Sequence, residues 1–196
     1  MRIVFHLRRN FPPSPRSRNP ESAFMPLEDC IRRAMRLGCG AMGVTRTLEA
    51  ATGWLELGVA DEALAELQSL PAEARTQRRA LELTLAAQMA SEAWNPAADT
   101  ARLLCLKAAD EPHFFLSAAF CLHETGDTHA ACNWLLRGPK SLFGMAVFHY
   151  NIACYLWKLG HASRARSHLR RAIVMDDSLL ETARDDRDLA GIDPIG

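Results

Sequence analysis

Ala63, Ala97, Ala131 and Ala165 stand 34 residues apart, and Gly58, Gly126 and Gly160 each precede one of them by five positions. A fixed period of that length is the mark of stacked copies of one small supersecondary unit, so it constrains the fold before any side chain is interpreted singly. Written as units 44–77, 78–111, 112–145 and 146–179, the chain aligns further columns. Ala51, Leu85, Ala119 and Ala153 form one, Leu67, Ala101, Leu135 and Leu169 another, and Glu92 shares a third with the glycines. A small residue lets two helices approach, a leucine one turn on fills the space between them, and glycine accepts the left-handed backbone that ends a helix.

Each unit reads as a helical hairpin. In unit 3 the run Ala118-Ala119-Phe120-Cys121-Leu122 leads to Gly126, and Ala131-Cys132-Asn133-Trp134-Leu135-Leu136 follows it. Gly126-Asp127-Thr128 supplies a helix stop and then N-cap candidates, and Asn95-Pro96 sets a cap residue before a proline suited to the first helical position. Pro71 and Pro112 fall between units. No stretch alternates with period two and β-branched enrichment, so the expected class is all-α.

These residues resemble the tetratricopeptide repeat family over roughly 44–179. Unit 4 matches best, with Tyr150-Asn151-Ile152-Ala153-Cys154-Tyr155-Leu156, then Gly160, Ala165, Leu169 and Ala172, and unit 1 is close from Trp54 to Leu70. Unit 2 departs at Glu92 and Ala101, with Trp94 adding bulk at its turn, and in unit 3 Gly138-Pro139 stops the second helix early. The resemblance implies an α-solenoid of helix-turn-helix repeats closed by a C-terminal capping helix. It also implies partner binding, by capture of a peptide or helix along the concave surface that the first helices line.

The flanks lie outside the period. Met1 to Pro20 holds five arginines and no acid, and its one apolar run, Ile3-Val4-Phe5, is too short for the core of a secretory signal. Residues 1–25 are therefore expected to be a disordered basic leader, with an organellar transit peptide or a translation start at Met25 as the alternatives. Residues 26–43 read as an N-terminal capping helix, ended by Gly38, and a linker. Residues 180–196 read as a C-terminal capping helix and tail, with Leu179, Leu180 and Ala183 inward and the acids outward.

Composition narrows the function. The chain of 196 residues carries 23 basic and 23 acidic side chains, a balance that argues against a nucleic-acid footprint. No run is long enough to span a membrane, and a cytoplasmic protein is expected. The cysteines at 30, 39, 105, 121, 132 and 154 show no CxxC pair and fall mostly on apolar helix faces, which suits reduced core thiols better than a disulfide framework or zinc site. His123 with His129, and His161 with His168, lack the i, i+4 spacing of a helical metal pair. Neither a metal nor a cofactor is expected.

Positions recurring at 34 residues on the face of each first helix are Leu48, Thr52 and Leu55; Glu82, Ala86 and Met89; Leu116, Phe120 and His123; and Tyr150, Cys154 and Trp157. The later two sets are aromatic. Leu116, Phe120, His123, Tyr150, Cys154 and Trp157, with Asn151 beside them to bond an extended peptide, are the candidate partner-binding residues. Glu124 and Lys158 would form a solvated rim. The same stripe is also what core packing against the next hairpin or the C-terminal helix would give, and register alone does not separate the two. Arg166, Arg170 and Arg171 are candidates for an acidic-peptide or phosphate site, against the simpler reading of cations complementing a helix C-terminus.

Tetratricopeptide domains that clamp a terminal carboxylate resemble one another in carrying lysine, asparagine and arginine at concave positions where this chain has Thr45, Glu49, Thr52, Arg79, Leu83 and Ala86; only Arg79 and Asn151 have suitable chemistry, so a clamp is not expected. A nucleophile such as Cys154 near His123 or His149 would make an enzyme, but no phosphate loop, GxSxG or HExxH accompanies it. The expected function is thus a non-catalytic scaffold or adaptor for another protein, with a substrate-specific chaperone using the same groove as the alternative.

Overall fold

The computed structural model describes residues 27–193, with side chains from residue 42 onward. The basic leader expected over 1–25 lies outside them, as do the side chains of Cys30 and Cys39. Ten α-helices make up the described chain, with two short 3₁₀ turns and no strand among the described residues. They are α1 (Leu27–Glu56), α2 (Ala60–Gln68), α3 (Ala72–Arg75), α4 (Arg78–Ala90), α5 (Trp94–Lys107), α6 (Pro112–Glu124), α7 (Thr128–Leu136), α8 (Ala146–Lys158), α9 (Ala162–Met175) and α10 (Leu179–Asp185). The 3₁₀ turns are Lys140–Gly144 and Arg187–Leu189. No helix among the described residues is long and apolar enough to cross a membrane.

The backbone carries the 34-residue period. Gly58, Glu92, Gly126 and Gly160 have φ of 77°, 57°, 91° and 81°, all left-handed. At each, the residue's own N–H reaches the carbonyl three back, and the next N–H reaches the carbonyl five back. The bonds from Val59 to Trp54, Ala93 to Gln88, Asp127 to Leu122 and His161 to Leu156 measure 2.8–3.0 Å. This is one helix-ending arrangement made four times, and it satisfies carbonyls that a helix terminus otherwise leaves bare. Five residues after each left-handed position the alanine is fully buried: Ala63, Ala97, Ala131 and Ala165 are all 0% exposed.

Glu92 holds this conformation with a Cβ, which costs an L-residue about 1–2 kcal/mol. Glu92→Gly is expected to raise stability by about 1 kcal/mol, part of the relief being lost to the greater freedom of glycine in the unfolded chain. Gly126→Ala is expected to cost about as much, through torsion alone, because a Cβ there meets nothing within 4 Å. Shifts of the urea midpoint in opposite directions would bear this out, and two shifts of one sign would contradict it.

The chain divides into two compact units between Ala87 and Gln88, in the last turn of α4. In the first unit, α1 packs on α2. Its core is Ala51, Ala63, Leu67, Leu70, Ala74, Ala80, Leu83 and Ala87, flanked by Val44, Leu48, Trp54, Leu55 and Leu64. One expectation fails here: α1 runs unbroken through Gly38, Gly40 and Gly43 to Glu56, so no stop or linker falls at 38–43. Glycine ends a helix by turning left-handed, and within one it only weakens it by about 1 kcal/mol.

In the second unit each helix packs on the next, α5 on α6, α6 on α7, α7 on α8 and α8 on α9. Helices α6 and α8 are apolar on most sides, as helices flanked by neighbours must be, and contribute Phe114, Leu116, Ala119, Phe148, Ile152 and Ala153 to the core. α7 opens with the Asp127 carboxylate accepting from the Ala130 N–H at 2.8 Å and closes at Leu136. A 3₁₀ turn with fully buried Leu142 links it to α8, and a side chain at Gly138 would run into Leu142.

Candidate functional site

The second unit brings the aromatic stripe of α6 and α8 together. Leu116, Tyr150 and Cys154 are buried at 1%, 2% and 5% exposure. Phe120, His123, Asn151 and Trp157 are half-buried. Phe120 takes the edge of Trp94 from α5, with ring centroids 5.6 Å apart.

The far end of this stripe is covered by the chain itself. After α10, Asp186 is extended (φ −83°, ψ 120°), and its carboxylate caps the 3₁₀ turn Arg187–Leu189 through the Asp188 N–H at 2.9 Å. Leu179 and Ala183 turn inward as expected, but so do two of the acids. The Tyr150 hydroxyl donates to Asp186 at 2.7 Å. His123 Nε2 lies 3.0 Å from one Asp188 oxygen and Lys158 Nζ 3.0 Å from the other. The Trp157 indole N–H donates to the Ala190 carbonyl at 3.1 Å, and Leu189 is buried to 2% exposure. The acids expected to face outward therefore do so only in part, and Lys158, exposed as a rim residue would be, is also an ion-pair partner.

The electrostatics follow from this contact. The hydrogen bond from His123 holds the Asp188 carboxyl down to about 2, helped by Lys158 and opposed by burial. Since that lies below its usual 3.8, the contact stabilises the fold at neutral pH and is lost as pH falls through about 2. Thr128 Oγ1 sits 2.9 Å from His123 Nδ1. A hydroxyl donating there leaves Nε2–H for Asp188, so the pairing needs no protonated imidazole.

Cys154 is placed unlike a nucleophile. Burial, then the Asp186 and Asp188 carboxylates, raise its thiol far above the ordinary range, and its sulfur points to Asp186 at 3.9 Å. Neither histidine considered with it is its partner. His149 is 4% exposed; its Nε2 meets the Phe143 carbonyl at 3.2 Å and its Nδ1 meets His168 Nδ1 at 3.0 Å. A carbonyl only accepts, so His149 Nε2 carries the proton, His149 Nδ1 accepts, and His168 Nδ1 donates. Cys105, Cys121 and Cys132 are also free and buried, with burial pushing the Cys105 thiol up to about 11 and Cys121 to about 12. Among the described residues no three metal-ligating side chains are grouped.

Burial lowers the pKa of both histidines of the pair, with Arg171 adding to the effect at His149 and His149, Arg164 and Arg171 at His168. The native state then binds fewer protons than the unfolded chain below pH 6.5, so stability is full above 6.5 and falls as pH drops through the depressed values. The melting temperature is expected to fall from pH 7.5 to pH 5, and to fall less in His168→Gln, which keeps a donor and gains no proton. An equal fall in both proteins would remove the pair as the cause.

Arg166 and Arg171, two of the three arginines considered for an anion site, do not converge. The Arg166 guanidinium lies over the Trp157 ring, 5.6 Å from its centroid, whereas Arg171 bears on His149 and His168. Five residues along a helix turn a side chain about 140° away. In the first unit Arg79 is paired with Glu82 at 3.8 Å and Leu83 is buried. The residues not anticipated were Asp186, Asp188 and His168. Leu189, a large apolar residue directly after the acids of 185–188, was the available sign that the tail packs. No protein-family model matches the chain, and no curated protein or solved structure matches it.

Proposed function

We propose that this chain is a non-catalytic scaffold or adaptor, an α-solenoid of four helix-turn-helix units similar to tetratricopeptide repeats, that holds a peptide or helix of a partner protein on the face of α6 and α8. The observation that most supports it is the fourfold left-handed helix ending with its fully buried alanine at 34-residue spacing. Units repeated in that way present the same positions of each first helix to one side, and in α6 and α8 those positions are Phe120, His123, Tyr150 and Trp157. Aromatic residues with one polar edge are the side chains that concentrate binding energy at protein interfaces.

Affinity capture from native lysate, with the full chain as bait, tests the reading. The Phe120→Ala/Trp157→Ala variant is expected to lose the captured partner while keeping its helical circular dichroism. A partner retained by the folded variant would move the binding face elsewhere, and collapse of the variant would make the two residues core.

A further inference from the structure

The tail meets the α6–α8 face as a ligand meets a site. The face offers donors: the Tyr150 hydroxyl, the His123 imidazole, the Lys158 ammonium and the Trp157 indole N–H. The tail answers with acceptors: the carboxylates of Asp186 and Asp188 and the carbonyl of Ala190. Between them Leu189 supplies the one apolar anchor, 2% exposed. Asp186, Asp188 and Leu189 thus read as a short recognition sequence, two carboxylates two residues apart and then an apolar side chain, held in a 3₁₀ turn.

The attachment is also of a kind that can open. The Lys158 and Asp188 side chains remain 45% and 29% exposed, and ion pairs so wetted hold weakly and are screened by salt. Arg187 and Ala190 are exposed on either side of the buried leucine. The tether adds to the buried Leu189 and the Tyr150 and His123 contacts by giving the segment a high effective concentration at the site.

We propose that residues 186–190 are a built-in occupant of the α6–α8 face, and that the partner this face takes is an acidic segment of another protein with the same pattern, which must displace the tail to bind. The proposal rests on the reading of this face as the partner site and adds the chemistry of the ligand and its competitor. A tethered competitor lowers the apparent affinity for any outside ligand by the fraction of time the face is open.

The test uses the full chain and a fluorescent peptide with the sequence of residues 184–193. Asp186→Asn/Asp188→Asn weakens the resident tail and leaves every donor of the face intact. The peptide is expected to bind this variant at least about tenfold more tightly than wild type. A peptide carrying the same two asparagines is expected to lose most of that binding. Equal affinity for both proteins, binding to neither, or full binding of the asparagine peptide overturns the proposal. Should the variant not fold, hydrogen exchange in wild type decides: saturating peptide is expected to speed exchange at the amides of 188–192 and not in α9, and an unchanged tail overturns it. A wild-type dimer that the tail variant dissociates would make the occupant a second copy's tail, which also overturns it. If the peptide fails while the captured partner still depends on Phe120 and Trp157, the acidic ligand falls and the binding face stands; if the peptide binds but no captured partner depends on them, the reverse holds.

Discussion

Leu135→Ala is expected to destabilise the chain by about 3 kcal/mol, while Leu136→Ala, one residue on, changes it by less than about 0.5 kcal/mol. Leu135 is 0% exposed and Leu136 is 47% exposed, so the first change empties a filled space and the second trims a wetted surface. α7 has only nine residues, too few to be stable alone, and its order comes from the packing of its inner side. Leu135 occupies the column that holds Leu67, Ala101 and Leu169, which are 3%, 0% and 0% exposed. Urea denaturation of the two variants gives the comparison, and similar losses from both would mean that α7 is not seated as described.

The two tyrosines of α8 are expected to respond to the same deletion with opposite signs. Tyr150→Phe removes the donor to Asp186 and leaves a half-buried carboxylate short of a bond, a loss of about 2 kcal/mol for a hydrogen bond to a charged group. Tyr155 is 2% exposed, and its hydroxyl has no hydrogen-bond partner among the described residues. Burying a hydroxyl without a partner costs about 1–3 kcal/mol, so Tyr155→Phe is expected to raise stability by about 1 kcal/mol. Thermal unfolding at pH 7 reads both. A loss at Tyr155 comparable to that at Tyr150 would show that its hydroxyl is satisfied.

The columns of the repeat were legible because each is enforced locally. A buried alanine where two helices cross and a left-handed residue at a helix end leave marks at fixed spacing, and Ala63, Ala97, Ala131 and Ala165 bear the same burial that their spacing implied. The length of α1 was not legible, since Gly38 has the letter of a helix stop without its conformation. The covered end of the candidate face was hidden for another reason. Tyr150 lies 36 residues from Asp186, and His123 lies 65 from Asp188, separations that fit no period. Acids at the end of a chain look solvated until their partners are known. Lys158 was legible as a charge but not as a partner, for the same reason.

Glu92 has a consequence for how chains of this kind are gathered into groups. A profile that scores letters meets glycine at three of the four turns and a mismatch at the fourth, whereas one that scores torsion angles meets the same value range four times. What recurs at that position is a rotation about one bond, which different residues can carry at different cost. Within this chain the 34-residue period is therefore more complete in its dihedral angles than in its residues.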